Sequence, residues 1–427
     1  YSCLLALVKT TPFIGRYPCS ETVFKSIFTT YSLGVNTNRD AWACNFSSRA
    51  MVTNIRYMAE CYDEEVARYA KAAKRGSDID IDAFVEADPR RIKWTRELKD
   101  RVRAGRPSPK IDTKAVAETL YRPYTRLRLY YDRMYVSQMY KMPKLFPEPT
   151  SKNLCILVSG LGGPMATCLV TDLISNLNSL HSGCQAFPLS VGEEPMDSDQ
   201  PALVATGSVD GTNNISAFAL RTFRAAYGPA VSAEDIFFYA YAVLSSPEYR
   251  ERFASSLSKM LPRIPLTREA ADFRAFTKAG RDLAQWHLNY ETVEPYDLQE
   301  HSNILTLDPD KHFTVSKMTY ARPSAEQKAK GEKHDKTTII YNSRVTLRGI
   351  PPEALEYVVN GKPALEWIME RYQVTRDKDS GIPNDPNDWA KEHNQPRYII
   401  DLVKRVVRVS VETMRIVKTL PALNERG

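Results

Sequence analysis

The 427-residue chain is 43% hydrophobic and 26% charged, with a net charge of +7. That composition supplies a large packed core and excludes a disordered chain, and the length points to two or three structural units. Seven cysteines (3, 19, 44, 61, 155, 168 and 184) include no Cys-x-x-Cys pair and no histidine at zinc-ligand spacing, which argues against a disulfide framework and a zinc site.

The cysteines read as reduced, mostly buried thiols of a cytoplasmic protein. The chain opens Tyr1-Ser2-Cys3 with no charged segment before an apolar core, so it reads as trimmed and not as secreted. The uncharged run 153–171 is interrupted by Gly160, Gly162, Gly163 and Pro164. A membrane helix needs about 20 mostly apolar residues without such breaks.

In chain order, apolar residues at helical spacing predict a helix over 51–72. Asp88-Pro89 reads as a cap with proline at the first helical position, opening a second helix to about Val102, which 104–109 ends. Short apolar or β-branched runs at 127–131, 154–158, 166–170 and 185–189 predict strands, and 193–200 is an acidic loop.

From Ile215 the pattern turns helical, over 215–227, 232–244 (opened by Ser232 and an acid three residues on), 247–260, and a fourth helix marked by Phe273, Phe276, Leu283, His287 and Tyr290. A strand pair, 313–320 and 337–347, flanks a charged loop, and helices follow over 352–359, 363–372 and 397–420. The fold class is α+β: a strand-containing region, a large helical region and a helical C-terminus.

The positive charge is concentrated. Residues 90–144 hold sixteen Lys or Arg against five Asp or Glu, together with Trp94 and six tyrosines. Basic side chains displace counterions from phosphates and aromatics stack on sugars or bases, so this stretch suits a polyanion. Arg122, Arg126, Arg128 and Arg133 are candidates for paired hydrogen bonds to phosphate or guanine, with Thr125 among them. The alternative is a solvated helix face followed by a strand with ordinary cross-strand arginine–carboxylate pairs.

Catalytic patterns are weak. Gly361-Lys362 lacks the earlier glycine of a phosphate-binding loop, since Glu356 stands there. The glycines after Ser159 lead into another strand-like run and not into a helix N-terminus. Asn384-Asp385-Pro386 reads as a turn, not a methyltransferase loop. Asp310 with Glu326 and Lys328 matches a nuclease pattern only loosely, because 324–331 has no strand character. His287, on an apolar helix face, reads as a satisfied core residue.

Several segments, in order, resemble the C-terminal specificity region of Type ISP restriction–modification enzymes. They include 31–42 with 45–47, 121–124 with 129–133, 158–160, 169–172, 187–189, 235–244 with 246–253 and 261–265, 279–284 with 287–291, 360–367 and 380–389. Together they cover nearly the whole chain from about residue 28. Two departures fall in surface-like loops: Ser190-Val191-Gly192 replaces an aromatic-rich run, and Thr212-Asn213-Asn214 replaces an Arg-Asp-Asn pattern.

The resemblance implies sequence-specific recognition of double-stranded DNA, directing adenine-N6 methylation and ATP-dependent restriction by other domains of a longer chain. Those domains would use S-adenosylmethionine, ATP and Mg, whereas this fragment would need no cofactor and hold no catalytic site. It would dock on the methyltransferase and helicase domains.

On this reading 1–30 is a connection from the methyltransferase, 31–210 a mixed α/β DNA-recognition region, 211–300 a helical region, and 301–427 a strand pair with C-terminal helices. The loop Asn36, Thr37, Asn38 and Arg39 offers side chains for bases or phosphates, or else forms a helix-capping turn. Ser159, Thr171 and Asp172 lie at strand ends where a groove would face them. The competing readings are a protein-docking domain of the same enzyme and an enzyme with unrecognised chemistry.

Overall fold

The computed structural model describes residues 6–7, 26–76, 79–160, 167–192, 212–302 and 308–426. Most of the expected 1–30 connection, the Gly162–Gly163 turn and the 193–200 acidic loop lie outside the described residues.

Among the described residues three four-stranded sheets organise the chain. In the first, the order is Ser32–Leu33, Gln185–Pro188, Cys155–Val158, Cys168–Thr171, antiparallel throughout. Its two strands Cys155–Val158 and Cys168–Thr171 are buried at every position, which is why they read as short apolar runs without alternation. Alternate side chains enter different cores. Ile156, Val158, Cys168 and Val170 join one with Phe237 and Phe276, while Cys155, Leu157 and Leu169 join another with Leu127 and Val406.

The second sheet runs Cys44–Asn45, Thr125–Tyr130, Val116–Arg122, Ile174–Ser175, the last pair parallel. Val116–Arg122 was not expected as a strand. Glu118 and Arg122 put charge into its pattern, and Glu118 stands opposite Arg128 in the register. Helix Ser48–Ala73, capped by the Ser47 hydroxyl on the Ala50 amide, covers this sheet through Met51, Ile55 and Tyr62. The third sheet is antiparallel, in the order Gln299–Ser302, Val345–Arg348, Asp335–Ile340, Thr319–Ala321.

Two expected helices are corrected. Asp88 accepts from the Arg90 amide at 2.9 Å, forming a turn, and the helix starts only at Arg96 (Arg96–Arg103). The segment expected as one helix over 247–260 breaks at Phe253 into Pro247–Arg252 and Ala254–Leu257.

Helix Ala233–Ser245 is opened by the anticipated capping box between Ser232 and Asp235 and is buried on nearly every side. It packs closely on Ala270–Leu288: a Cβ placed on Gly280 would lie 1.9 Å from the Phe238 carbonyl oxygen. The long C-terminal helix Tyr398–Lys418 lines its apolar stripe against both Ala364–Arg371 and Ala270–Leu288. Among the described residues no helix is long and apolar enough to cross a membrane.

Candidate nucleic-acid interface

Strand geometry decides where the basic stretch points. Arg126 and Arg128 leave the same face of Thr125–Tyr130, and each is part-buried and already bonded to neighbouring residues. Arg128 pairs with Glu118 across the sheet at 2.8 Å, as the alternative reading anticipated. Arg126 donates to the Tyr290 hydroxyl and the Leu288 carbonyl, each at 3.2 Å, and lies 3.5 Å from Glu291. Arg122 stacks on Tyr121, 4.0 Å from the ring centre, and donates to Asn176 at 3.1 Å. Thr125 is buried and donates to the Pro123 carbonyl. Arg133 alone of the four arginines is exposed, on the turn after the sheet.

The loop 36–39 divides in the same way. Arg39 is 1% exposed: its guanidinium donates to the Met134 carbonyl and the Thr95 hydroxyl, each at 2.8 Å. Burial lowers its pKa to about 10. Thr37 is buried and hydrogen-bonds Asp40. Asn36 and Asn38 reach outward, and Asn38 holds a left-handed backbone with φ of 55°.

The fold places a segment beside this loop that sequence reasoning had not singled out. Asn36 and Gln138 exchange two backbone hydrogen bonds, each 2.9 Å, as an isolated antiparallel bridge. The result is a ribbon one bridge long, presenting Asn36, Asn38, Ser137, Gln138 and Tyr140. Tyr140 is 43% exposed and also left-handed, with φ of 50°. Exposed Lys141 follows it. Nothing local marks this segment, since its partner lies about a hundred residues earlier.

Below the ribbon is a cleft of about 290 Å3, where Asn36, Asn38 and Lys93 face Asp377, Asp379 and Ser380. Across its floor at Asp40 and Ala41 it adjoins a second cleft of about 210 Å3, walled by Tyr121, Thr375 and Arg376. Four sequence-distant segments thus converge on one polar groove. Asp377 is held below the usual carboxylate range, first by the Ser380 backbone amide. The lining mixes amide, hydroxyl, carboxylate and ammonium groups, the kinds of side chain that read base edges as well as phosphates.

The other candidates lie elsewhere. Ser159 and Thr171 are buried and bonded within their own strand ends, to the Thr167 and Leu173 amides. Asp172 is part-exposed beside Lys152 at 3.3 Å. Glu326 and Lys328 occupy a short exposed helix, Ala325–Ala329, and Asp385 caps Pro386–Glu392. His287 is buried, bonded to Tyr241 and Thr413. Among the described residues no three His, Cys, Asp or Glu side chains gather to hold a metal ion.

The chain belongs to the Type ISP C-terminal specificity domain family, whose model matches residues 26–402. Its fold is similar to three solved structures. One is a nuclease-deletion mutant of the Type ISP restriction–modification enzyme LlaGI in complex with a DNA substrate mimic, 32% identical over 96% of this chain and 34% of that one, with a TM-score of 0.77. A second is the ATP-dependent Type ISP restriction–modification enzyme LlaBIII bound to DNA, 29% identical over 95% of this chain and 24% of that one, TM-score 0.79. The third is a DrdV–DNA complex, 29% identical over 93% and 36%, TM-score 0.75. The chain therefore spans roughly a third or less of the length of these structures. No curated protein matches it.

Proposed function

We propose that this chain recognises a specific sequence in double-stranded DNA, as the specificity domain of a Type ISP restriction–modification enzyme. The observation that carries this reading is the outward ribbon and the polar groove beneath it, in a fold shared with Type ISP enzymes solved on DNA. Asn36, Asn38 and Gln138 supply amides for base edges, and exposed Arg133, Lys93 and Lys141 supply charge for phosphates. Thr37, Arg39, Thr125, Arg126, Arg128, Ser159 and Thr171 act from behind, holding the loop and the sheets that carry it. Arg122 and Asp172 are each already engaged with other residues.

On this reading residues 31–210 form the recognition region. The helices of 211–300 and the C-terminal segment 301–427 are its scaffold and the face that docks on methyltransferase and helicase domains of the same polypeptide. Adenine-N6 methylation with S-adenosylmethionine, and ATP- and Mg-dependent restriction, belong to those domains, and the assembly works in the cytoplasm.

The test is fluorescence-anisotropy titration of this chain against a random duplex library at several salt concentrations, with sequencing of the bound pool. A steep salt slope and one enriched asymmetric sequence are expected. Failure to bind at low salt would overturn the reading in favour of a protein-docking domain.

A further inference from the structure

We propose that the 36–38 and 137–140 ribbon reads an adenine in the major groove, Gln138 donating to N7 and Asn38 accepting from the N6 amino group. This deepens the DNA reading and rests on it.

Each amide has one end already committed. The Tyr140 hydroxyl donates to Gln138 Oε1, so the Nε2 hydrogens point away from that contact. Asn38 Nδ2 donates to Ser137 Oγ at 3.1 Å, and Ser137 in turn reaches Glu97 at 3.4 Å. Among the described residues Gln138 Nε2 and Asn38 Oδ1 have no hydrogen-bond partner. Asn38 is held with its Oδ1 outward because Ser137, already donating to Glu97, can only accept from it, and Gln138 lies with Nε2 outward beside the Tyr140 hydroxyl.

That pair selects among bases. In the major groove adenine presents N7 as acceptor beside N6–H2 as donor, the complement of Gln138 and Asn38. Guanine offers two acceptors, N7 and O6, and would set O6 against Asn38 Oδ1. Cytosine offers only its amino donor and thymine only its O4 acceptor.

The backbone supports the assignment. Non-glycine residues with left-handed φ are uncommon, and such strain persists where the surroundings fix it, often at ligand-binding positions. Here Tyr140 adopts it beside the Asn36–Gln138 bridge that pins it; Asn38 shares the conformation, which asparagine takes readily.

The experiment uses the 427-residue chain, its selected duplex and two variants, Gln138→Leu and Asn38→Ala, with thermal melts confirming that both fold. In the pool bound by the wild type, one A·T pair should lose its enrichment in both variants while the other positions keep theirs. Placing 7-deazaadenine, which lacks the N7 acceptor, at that position should weaken wild-type binding by about tenfold or more and leave Gln138→Leu binding unchanged. Unaltered motifs in both variants, relaxation at a G·C pair, or full affinity for the 7-deazaadenine duplex would overturn the adenine assignment and leave DNA recognition standing. A wild-type pool without any motif would remove both.

Discussion

Arg39 and Met134, almost a hundred residues apart, are joined by a 2.8 Å hydrogen bond from a buried guanidinium to a main-chain carbonyl. The same guanidinium holds the Thr95 hydroxyl at 2.8 Å, so one side chain ties the 36–39 loop to the turn before the ribbon and to the start of helix Arg96–Arg103. Truncation would strand both partners. Arg39→Ala should lower stability by about 3 kcal/mol in urea denaturation. The salt slope of DNA binding should stay as in the wild type, measured well below the unfolding transition. A stable variant with a shallower slope would instead make Arg39 a phosphate ligand.

The same bond shows what could be read from the sequence. The Ser232–Asp235 capping box is local, and it opens a helix where expected. The helix after Asp88 was misplaced because Pro89 suits a turn as well as a first helical turn, and the true cap position, Thr95, has its hydroxyl taken by Arg39. Strand Val116–Arg122 was hidden because its charged residues find partners only across the sheet. The loop 36–39 was legible as a polar loop, but which of its side chains face outward depends on contacts with 95 and 134–138. Gln138 and the Asp377–Asp379 wall carry no local signal, because long-range pairing brings them to the site, and Tyr140 was legible only as one tyrosine of the basic stretch.

Gly280 tests how tightly the scaffold is built. Its helix lies so close to Ala233–Ser245 that an added methyl would overlap the Phe238 carbonyl. Gly280→Ala should therefore cost about 3 kcal/mol through forced separation of the two helices, despite alanine's better helix propensity. Chemical denaturation gives the answer. A neutral or stabilised variant would show that the helices have room to part.

His287 gives the scaffold a pH dependence. Its ring lies between the Tyr241 hydroxyl at 2.5 Å and the Thr413 hydroxyl at 2.8 Å. Burial, with a smaller contribution from Arg250, lowers its pKa from 6.5 to about 3. Unfolded, the imidazole takes a proton near its ordinary value, so between those limits the unfolded chain binds more protons. The stability from neutral His287 is thus complete above about 6.5 and is lost as pH falls, at up to about 1.4 kcal/mol per pH unit. Glu300, held at about 2 mainly by Arg397, adds stability that is complete above about 4.5 and is lost only as pH falls below that, outside this window. Denaturation between pH 4.5 and 6.5 should therefore show a slope that His287→Gln removes. An equal slope in the variant would assign the acid sensitivity elsewhere.

The arginines and lysines separate by what they already hold. Arg126 and Arg128 are committed to Tyr290, Glu291 and Glu118, whereas Arg133, Lys93 and Lys141 are exposed. Each phosphate contact contributes about 0.9 to the slope of log K against log salt. Replacing Arg133, Lys93 or Lys141 by alanine should then weaken binding to all duplexes alike and lower that slope by about one unit each. Arg128→Ala should leave the slope intact and reduce thermal stability instead, because Glu118 loses its cross-strand partner. The reverse pattern, a slope that falls with Arg126 or Arg128 and ignores Arg133, would move the DNA from the ribbon to the outer face of the sheet.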